Sequence, residues 1–221
     1  NRITSSIQFD EAAQKYKKVT YAFRPDGSLQ TETISKAADS YEAAKTAAED
    51  VVKEYDYASI NVLKSITTKK SGTVVEKVEF TYDSEDNRTA KKVTDSSGER
   101  TEFYYYDGNG DLVSISQKAG IDPVENLVNI YRDNSGQLLN FEYKGQVYDY
   151  VYNQRGDIVA IANALQEIIA RYTYDEWGNL LNIDAPTPLG AEVANANPFR
   201  YVGKFGVQYD KDTKLYFHGL A

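Results

Sequence analysis

Hydrophobic and polar residues alternate with a period of two along much of the chain. Val78, Phe80 and Tyr82 face one way while Lys77, Glu79 and Thr81 face the other. Ile168, Ala170, Tyr172 and Tyr174 oppose Glu167, Arg171 and Thr173 in the same manner. This is the signature of strands with one apolar-aromatic face and one polar face. A short template recurs between such runs: an aromatic, a four-residue step to Gly, then Asn or Asp and an apolar pair. It is seen at Tyr106 to Gly110, Tyr152 to Gly156 and Tyr174 to Gly178. Tyr131 to Gly136 reads as a copy with one inserted residue, and Phe23 to Gly27, Tyr82 to Asp86 and Thr94 to Gly98 are weaker copies.

Asp and Asn hydrogen-bond their own backbone and Gly supplies positive φ, so each copy predicts strand, tight turn, strand. The turn positions at 86, 98 and 110 are 12 apart, and those at 136, 156 and 178 are 20 and 22 apart. Second turns at Lys144-Gly145 and around 163–166 fall midway, so a repeat of about 20 residues holds two strands and two turns. The predicted fold is mainly β: tandem antiparallel hairpins forming a curved open sheet.

One segment breaks the pattern. Tyr41, Ala44, Ala48, Val51 and Tyr55 recur at steps of three and four, and Asp39 with Glu42 forms a capping box, which predicts an amphipathic helix over Asp39–Tyr55. A shorter helix is expected from Asp10. The run from Asp184 through Pro186 and Pro188 to Gly190 reads as a rigid boundary loop. The expected organisation is 1–60 (hairpin plus helix insertion), 61–190 (repeat strip) and 191–221 (C-terminal motif).

Composition removes several chemistries. The 221 residues include no Cys and one His, His218, so disulfides, thiolate nucleophiles and multi-histidine metal sites are excluded. Net charge is −8, and acid exceeds base in each of 1–60, 61–120 and 121–221, which argues against nucleic acid as a partner. No apolar run approaches the ~20 residues of a membrane span. The chain opens at Asn1 without a signal-peptide pattern and is read as a fragment or processed product. Asp107, Asn109 and Asp111 have calcium-loop spacing, but Leu112 and Lys118 stand where Gly and Glu are needed, so the segment is a turn. The acidic pairs Asp175/Glu176 and Asp210/Asp212 would serve glycoside hydrolysis only if placed across a cleft at the right separation, and neighbouring residues on a strand face opposite ways, so the expectation is against catalysis. No catalytic residue, metal site or cofactor is assigned.

The tandem Tyr-Asp-x-x-Gly template resembles the YD repeat of the RHS and teneurin families. The tail narrows the resemblance. Asn197-Pro198-Phe199-Arg200-Tyr201-Val202-Gly203, then Tyr209-Asp210 and Thr213-Lys214-Leu215-Tyr216-Phe217, is similar to the RHS repeat-associated core, with Lys214 where that pattern prefers Gly. The resemblance implies a wall of hairpins spiralling into a hollow shell around a variable C-terminal effector, often a toxin, in an exported or surface-bound bacterial protein. The resemblance also implies that the family's self-cleavage region would follow Ala221, so no protease residue is assigned here.

The expected function is therefore a non-catalytic wall segment. About 14 strands at ~4.8 Å span only ~65 Å, less than the wrap that a cargo domain of ~40 Å diameter requires. Further repeats, another copy or a partner strand must complete it, and an open strip leaves two edges for strand addition. At least one edge is expected to be capped by the Asp39–Tyr55 helix or by another chain. A carbohydrate-binding adhesin is the alternative: Tyr makes up 19 of the residues, and Tyr104, Tyr148, Tyr150 and Trp177 in exposed rows would stack on surface glycans. Self-assembly through the edges, giving a fibre, is the third reading.

Overall fold

A computed structural model describes residues 2–10 and 13–217. His218 lies outside them. The first strands are β1 (Ser5–Asp10), β2 (Lys15–Phe23) and β3 (Leu29–Ser35), followed by the short helix α1 (Tyr41–Lys45). Next come β4 (Glu49–Ser59), β5 (Val62–Lys70), β6 (Thr73–Tyr82), β7 (Arg88–Asp95), β8 (Gly98–Tyr106) and β9 (Leu112–Ala119). The series continues with β10 (Glu125–Arg132), β11 (Leu138–Tyr143), β12 (Gln146–Tyr152), β13 (Ile158–Ala162), β14 (Ile168–Tyr174) and β15 (Leu180–Asp184). Helix α2 (Pro188–Ala196), a 3₁₀ turn over Gly203–Phe205, and the small hairpin of β16 (Gln208–Tyr209) and β17 (Tyr216–Phe217) complete the described chain.

Strands β1 to β15 lie side by side in chain order, one open antiparallel meander, as the period-two alternation predicts. The chain divides into two compact units, 1–81 with 91–100 and 82–90 with 101–221. In the first, Val19, Ala44, Ile66, Val78 and Val93 are buried. In the second, one cluster is built around Leu138, Phe141, Ile158, Ile161, Val193 and Phe199. Burying side chains of this size contributes about 1.5–3 kcal/mol each.

Three local expectations are corrected. Of the helix expected from Asp10, residues 11 and 12 lie outside the described residues; on either side of them Asp10 faces Lys15 across β1 and β2, and the Asp10 carboxylate accepts the Ala13 N–H. The helix expected over Asp39–Tyr55 stops after five residues. Ser40, not Asp39, caps α1 by accepting the Ala43 N–H, and β4 begins at Glu49. Val51 and Val52 are β-branched, and Lys53 pairs across the ladder with Glu32 at 3.4 Å. Apolar residues at 51 and 55 satisfy both periods, and ladder partners on both sides decide for the strand. Because β4 lies between β3 and β5, it caps no sheet edge. Finally, the loop expected over 184–190 ends at Thr187. The Thr187 hydroxyl accepts the Gly190 N–H at 3.0 Å and Pro188 occupies the first turn of α2, a helix start that Thr-Pro announces.

Candidate functional site

The repeat turns share one geometry. In each, the Asp or Asn after the template aromatic accepts two backbone N–H groups with one oxygen. Asp107 accepts from Asn109 and Asp111, Asp133 from Ser135 and Gln137, Asn153 from Arg155 and Asp157, and Asp175 from Trp177 and Asn179. Asn163 does the same at the second turn, accepting from Leu165 and Glu167. The fourth residue has positive φ: 81° at Gly110, 83° at Gly136, 92° at Gly156 and 90° at Gly178.

Tyr152 and Tyr174 sit beside a register shift in the ladder, and the hydroxyl of the template aromatic reaches back one repeat. Tyr106 donates to the Arg88 carbonyl at 3.0 Å, Tyr152 to Leu138 at 2.7 Å and Tyr174 to Ile158 at 2.7 Å. The accepting residue stands two beyond an earlier turn position: 86 for Arg88, 136 for Leu138 and 156 for Ile158. Asp133 shows that the repeat at 131–136 has no insertion. Arg132 takes the aromatic's place and donates to the Leu112 carbonyl at 2.8 Å. Replacing Tyr106, Tyr152 or Tyr174 by Phe is expected to cost about 1 kcal/mol each, the net worth of such a bond plus the stranded carbonyl. Urea unfolding of the three single variants checks this.

The turn carboxyls are held below the ordinary 3.8. N–H donation from Asn109 and Asp111 does this at Asp107, the Ser135 hydroxyl and two N–H groups at Asp133, and the Asn179 amide with N–H groups at Asp175. A lowered folded value means that the stabilisation is complete above the unfolded pKa and disappears as pH falls through the folded one. Carboxyl NMR titration should place these midpoints below 3.8, with stability falling as they protonate.

The tail, 197–217, docks onto this framework within the second unit. Asn197 braces its own turn: its amide donates to the Phe199 carbonyl at 2.7 Å and its oxygen accepts the Phe199 N–H at 3.0 Å. The Pro198 carbonyl accepts the Tyr209 N–H at 2.7 Å. Arg200 is 1% exposed. Its guanidinium donates to the Tyr172 hydroxyl at 2.8 Å and the Ala194 carbonyl at 2.6 Å, and lies 4.3 Å over the Tyr172 ring. The Arg200 carbonyl accepts the Ile158 N–H from β13. Gly203 packs against Ile158 and Phe199 so closely that a Cβ would meet both at 3.0 Å.

Two rings of the tail rest on repeat glycines. A Cβ on Gly156 would meet the Phe205 ring at 2.6 Å, and one on Gly178 the Tyr201 ring at 2.5 Å, whereas Gly110 has open space. A second buried cation completes the docking. Arg88 of β7 pairs with Asp210 at 3.0 Å, donates to Gln208 at 3.4 Å, and stacks 4.4 Å over Tyr104.

The four residues expected to bind sugar do not form an exposed row. Tyr104, Tyr148 and Tyr150 are buried, with Tyr150 stacked on Phe141 and edge-on to Phe199. Tyr148 and Tyr150 share, by strand period, the face on which the tail packs. Trp177 alone is open, at 83% exposure on a turn. By contrast Tyr106, Gly110, Tyr152, Gly156, Tyr174 and Gly178 build the repeat, and Asn197, Pro198, Arg200 and Gly203 build the docked motif.

Arg88, Asp157, Tyr172 and Gln208 enter the docking without having been singled out from sequence. Arg88 had a usable signal: it stands two beyond a turn, where Leu112, Leu138, Ile158 and Leu180 are apolar. Lys214 has φ of 61°, which explains why glycine suits its position. Lys214→Gly is expected to raise stability by up to about 1 kcal/mol by removing left-handed strain, read as a shift of the urea midpoint. Among the described residues no acidic or histidine group of three or more could hold a metal ion, and no helix is long and apolar enough to cross a membrane.

No family model matches the chain. Among curated proteins, the tRNA3(Ser)-specific nuclease WapA of Bacillus spizizenii is 33% identical over 138 residues, 62% of this chain. The tRNA nuclease WapA of Bacillus subtilis is 32% identical over 139 residues, again 62% of the chain. The chain spans 5% of the length of each. Among solved structures, TcdB2-TccC3-Cdc42 aligns over 99% of this chain and 15% of its own, at 11% identity and TM-score 0.43. A porin-like protein from Bacteroides uniformis aligns over 81% of this chain and 87% of its own, at 13% identity and TM-score 0.42.

Proposed function

We propose that this chain is a non-catalytic piece of wall in a much longer exported bacterial RHS/YD-repeat protein, and that its tail leads toward a C-terminal effector. One observation carries the reading. The polar and aromatic groups that the sequence brings together around the tail, Arg88, Asp157, Tyr172, Arg200 and Asp210, are spent on holding the tail to the sheet. A buried ion pair and a buried guanidinium bonded to carbonyls fix one arrangement of tail on sheet, which supports a structural role for these groups.

The resemblance of the repeats and the tail motif to the RHS family supports the same reading, as does similarity to WapA nucleases of which the chain covers a small share. Preceding repeats would continue the meander at β1, whose outer edge is a template for strand pairing. The test is the intact mass and protease map of the native product. A large resistant body containing 2–217, with a separable domain downstream, is the expected result. A free product ending at both limits of this chain would overturn the wall role.

A further inference from the structure

The bend that carries the tail from Arg200 to β16 contains Val202 with φ 45° and ψ 26°. It is the one β-branched residue with positive φ among the described residues, and that conformation presses a branched side chain against the backbone. The structure holds it there with a buried acid. The Val202 N–H donates to Asp157 Oδ1 at 2.9 Å. Asp157 is 0% exposed, and its other oxygen accepts from the Asn153 amide at 2.7 Å and from Arg155 Nε at 2.8 Å. Arg155 in turn lies 4.6 Å over the ring of Tyr201, and the Lys204 N–H donates to the Gly156 carbonyl. Turn 153–157 therefore grips both sides of the strained residue.

Each partner is braced independently. The tail has its own hairpin and the Phe199 to Gln208 bridge, and β13 and β14 have their own ladder. We propose that Asp157 and Val202 form a strained latch: the carboxylate holds the bend in its left-handed conformation, and when that contact is lost the tail opens from the sheet more often, as one local unit, while the sheet persists. Strain of this kind survives only where the surroundings over-determine it, and the three donors around Asp157 do so. Burial pushes the Asp157 carboxyl up, but Arg155, the Val202 N–H and Asn153 outweigh that and hold it below 3.8, so it is ionised and accepting at neutral pH. The latch does not depend on the wall reading.

Native-state hydrogen exchange of the whole chain tests it, since sub-global opening is read amide by amide. In Asp157→Asn the Gly203, Lys204 and Tyr209 amides are expected to exchange at least tenfold faster while the β14 ladder amides keep their rates. Simultaneous loss of protection in tail and β14, or no change in the tail, would overturn the latch. Val202→Asn keeps the N–H and suits the left-handed conformation, so it provides a second reading even if Asp157→Asn fails to fold. Slower tail exchange is expected there, and unchanged or faster exchange would count against the proposal.

Discussion

Asp210→Ala is expected to cost about 3–5 kcal/mol, the range for removing one partner of a buried ion pair. The Asp210 and Arg88 side chains are 2% and 4% exposed, so solvent replaces little of what is lost. Asp210 also has a second duty: its other oxygen accepts the Asp212 and Thr213 N–H groups that turn the chain toward β17. The loss therefore combines a buried charge pair with a turn. Equilibrium urea unfolding followed by tyrosine fluorescence measures it, and a loss below about 1 kcal/mol would place the pair in the class of exposed ion pairs. Arg88→Met combined with Asp210→Leu should recover much of the loss, because apolar replacement of both partners removes the desolvation cost together with the attraction.

The sheet was legible because its signal is redundant. Period-two alternation, an Asx turn and a positive-φ residue point to the same hairpin at each repeat, so one degraded copy does not break the series. Tyr82 to Asp86 is such a copy: Asp86 stands in the glycine position with φ of 59°, and Asp83 still accepts the Glu85 and Asn87 N–H groups. The region 39–55 failed for the opposite reason. Val51 and Tyr55 fit a helix and a strand equally, and the deciding fact, a ladder partner on each side, is non-local. The aromatic-to-Gly spacing also mistook Tyr131 for the template position. Counting back three from Gly136 to Asp133 places Arg132 there, and a long cation reaches the same class of carbonyl as a phenol.

The docking was half legible. Asn197, Arg200 and Gly203 could be singled out through resemblance, but their partners could not, since Tyr172 and Asp157 lie 28 and 45 residues from the groups they meet. The tyrosine surplus was the most ambiguous feature. Half-buried sheet rings and sugar-stacking rings have the same alternation, and only the tail lying over one face separates the two. That face buries Tyr148 and Tyr150, whereas Trp177 sits on a turn, outside the alternation.

Gly178→Ala and Gly156→Ala should each cost about 2–5 kcal/mol, against about 1–2 kcal/mol for Gly110→Ala, where the penalty is left-handed backbone alone. All three glycines have φ between 81° and 92°, so the conformational cost is shared and the difference isolates the tail. At Gly178 the new methyl would fall 2.5 Å from Cγ of Tyr201, the root of the ring, which cannot swing aside without moving the backbone beside Arg200. At Gly156 it meets Cε2 of Phe205 at 2.6 Å and the Lys204 Cβ at 3.3 Å. Phe205 is 70% exposed and can yield more easily, so the smaller of the two losses is expected there. The order Gly178, then Gly156, then Gly110 in urea unfolding follows from tail rings resting on repeat turns. Equal losses at all three would mean that the turns stand alone and the tail contributes nothing to holding them.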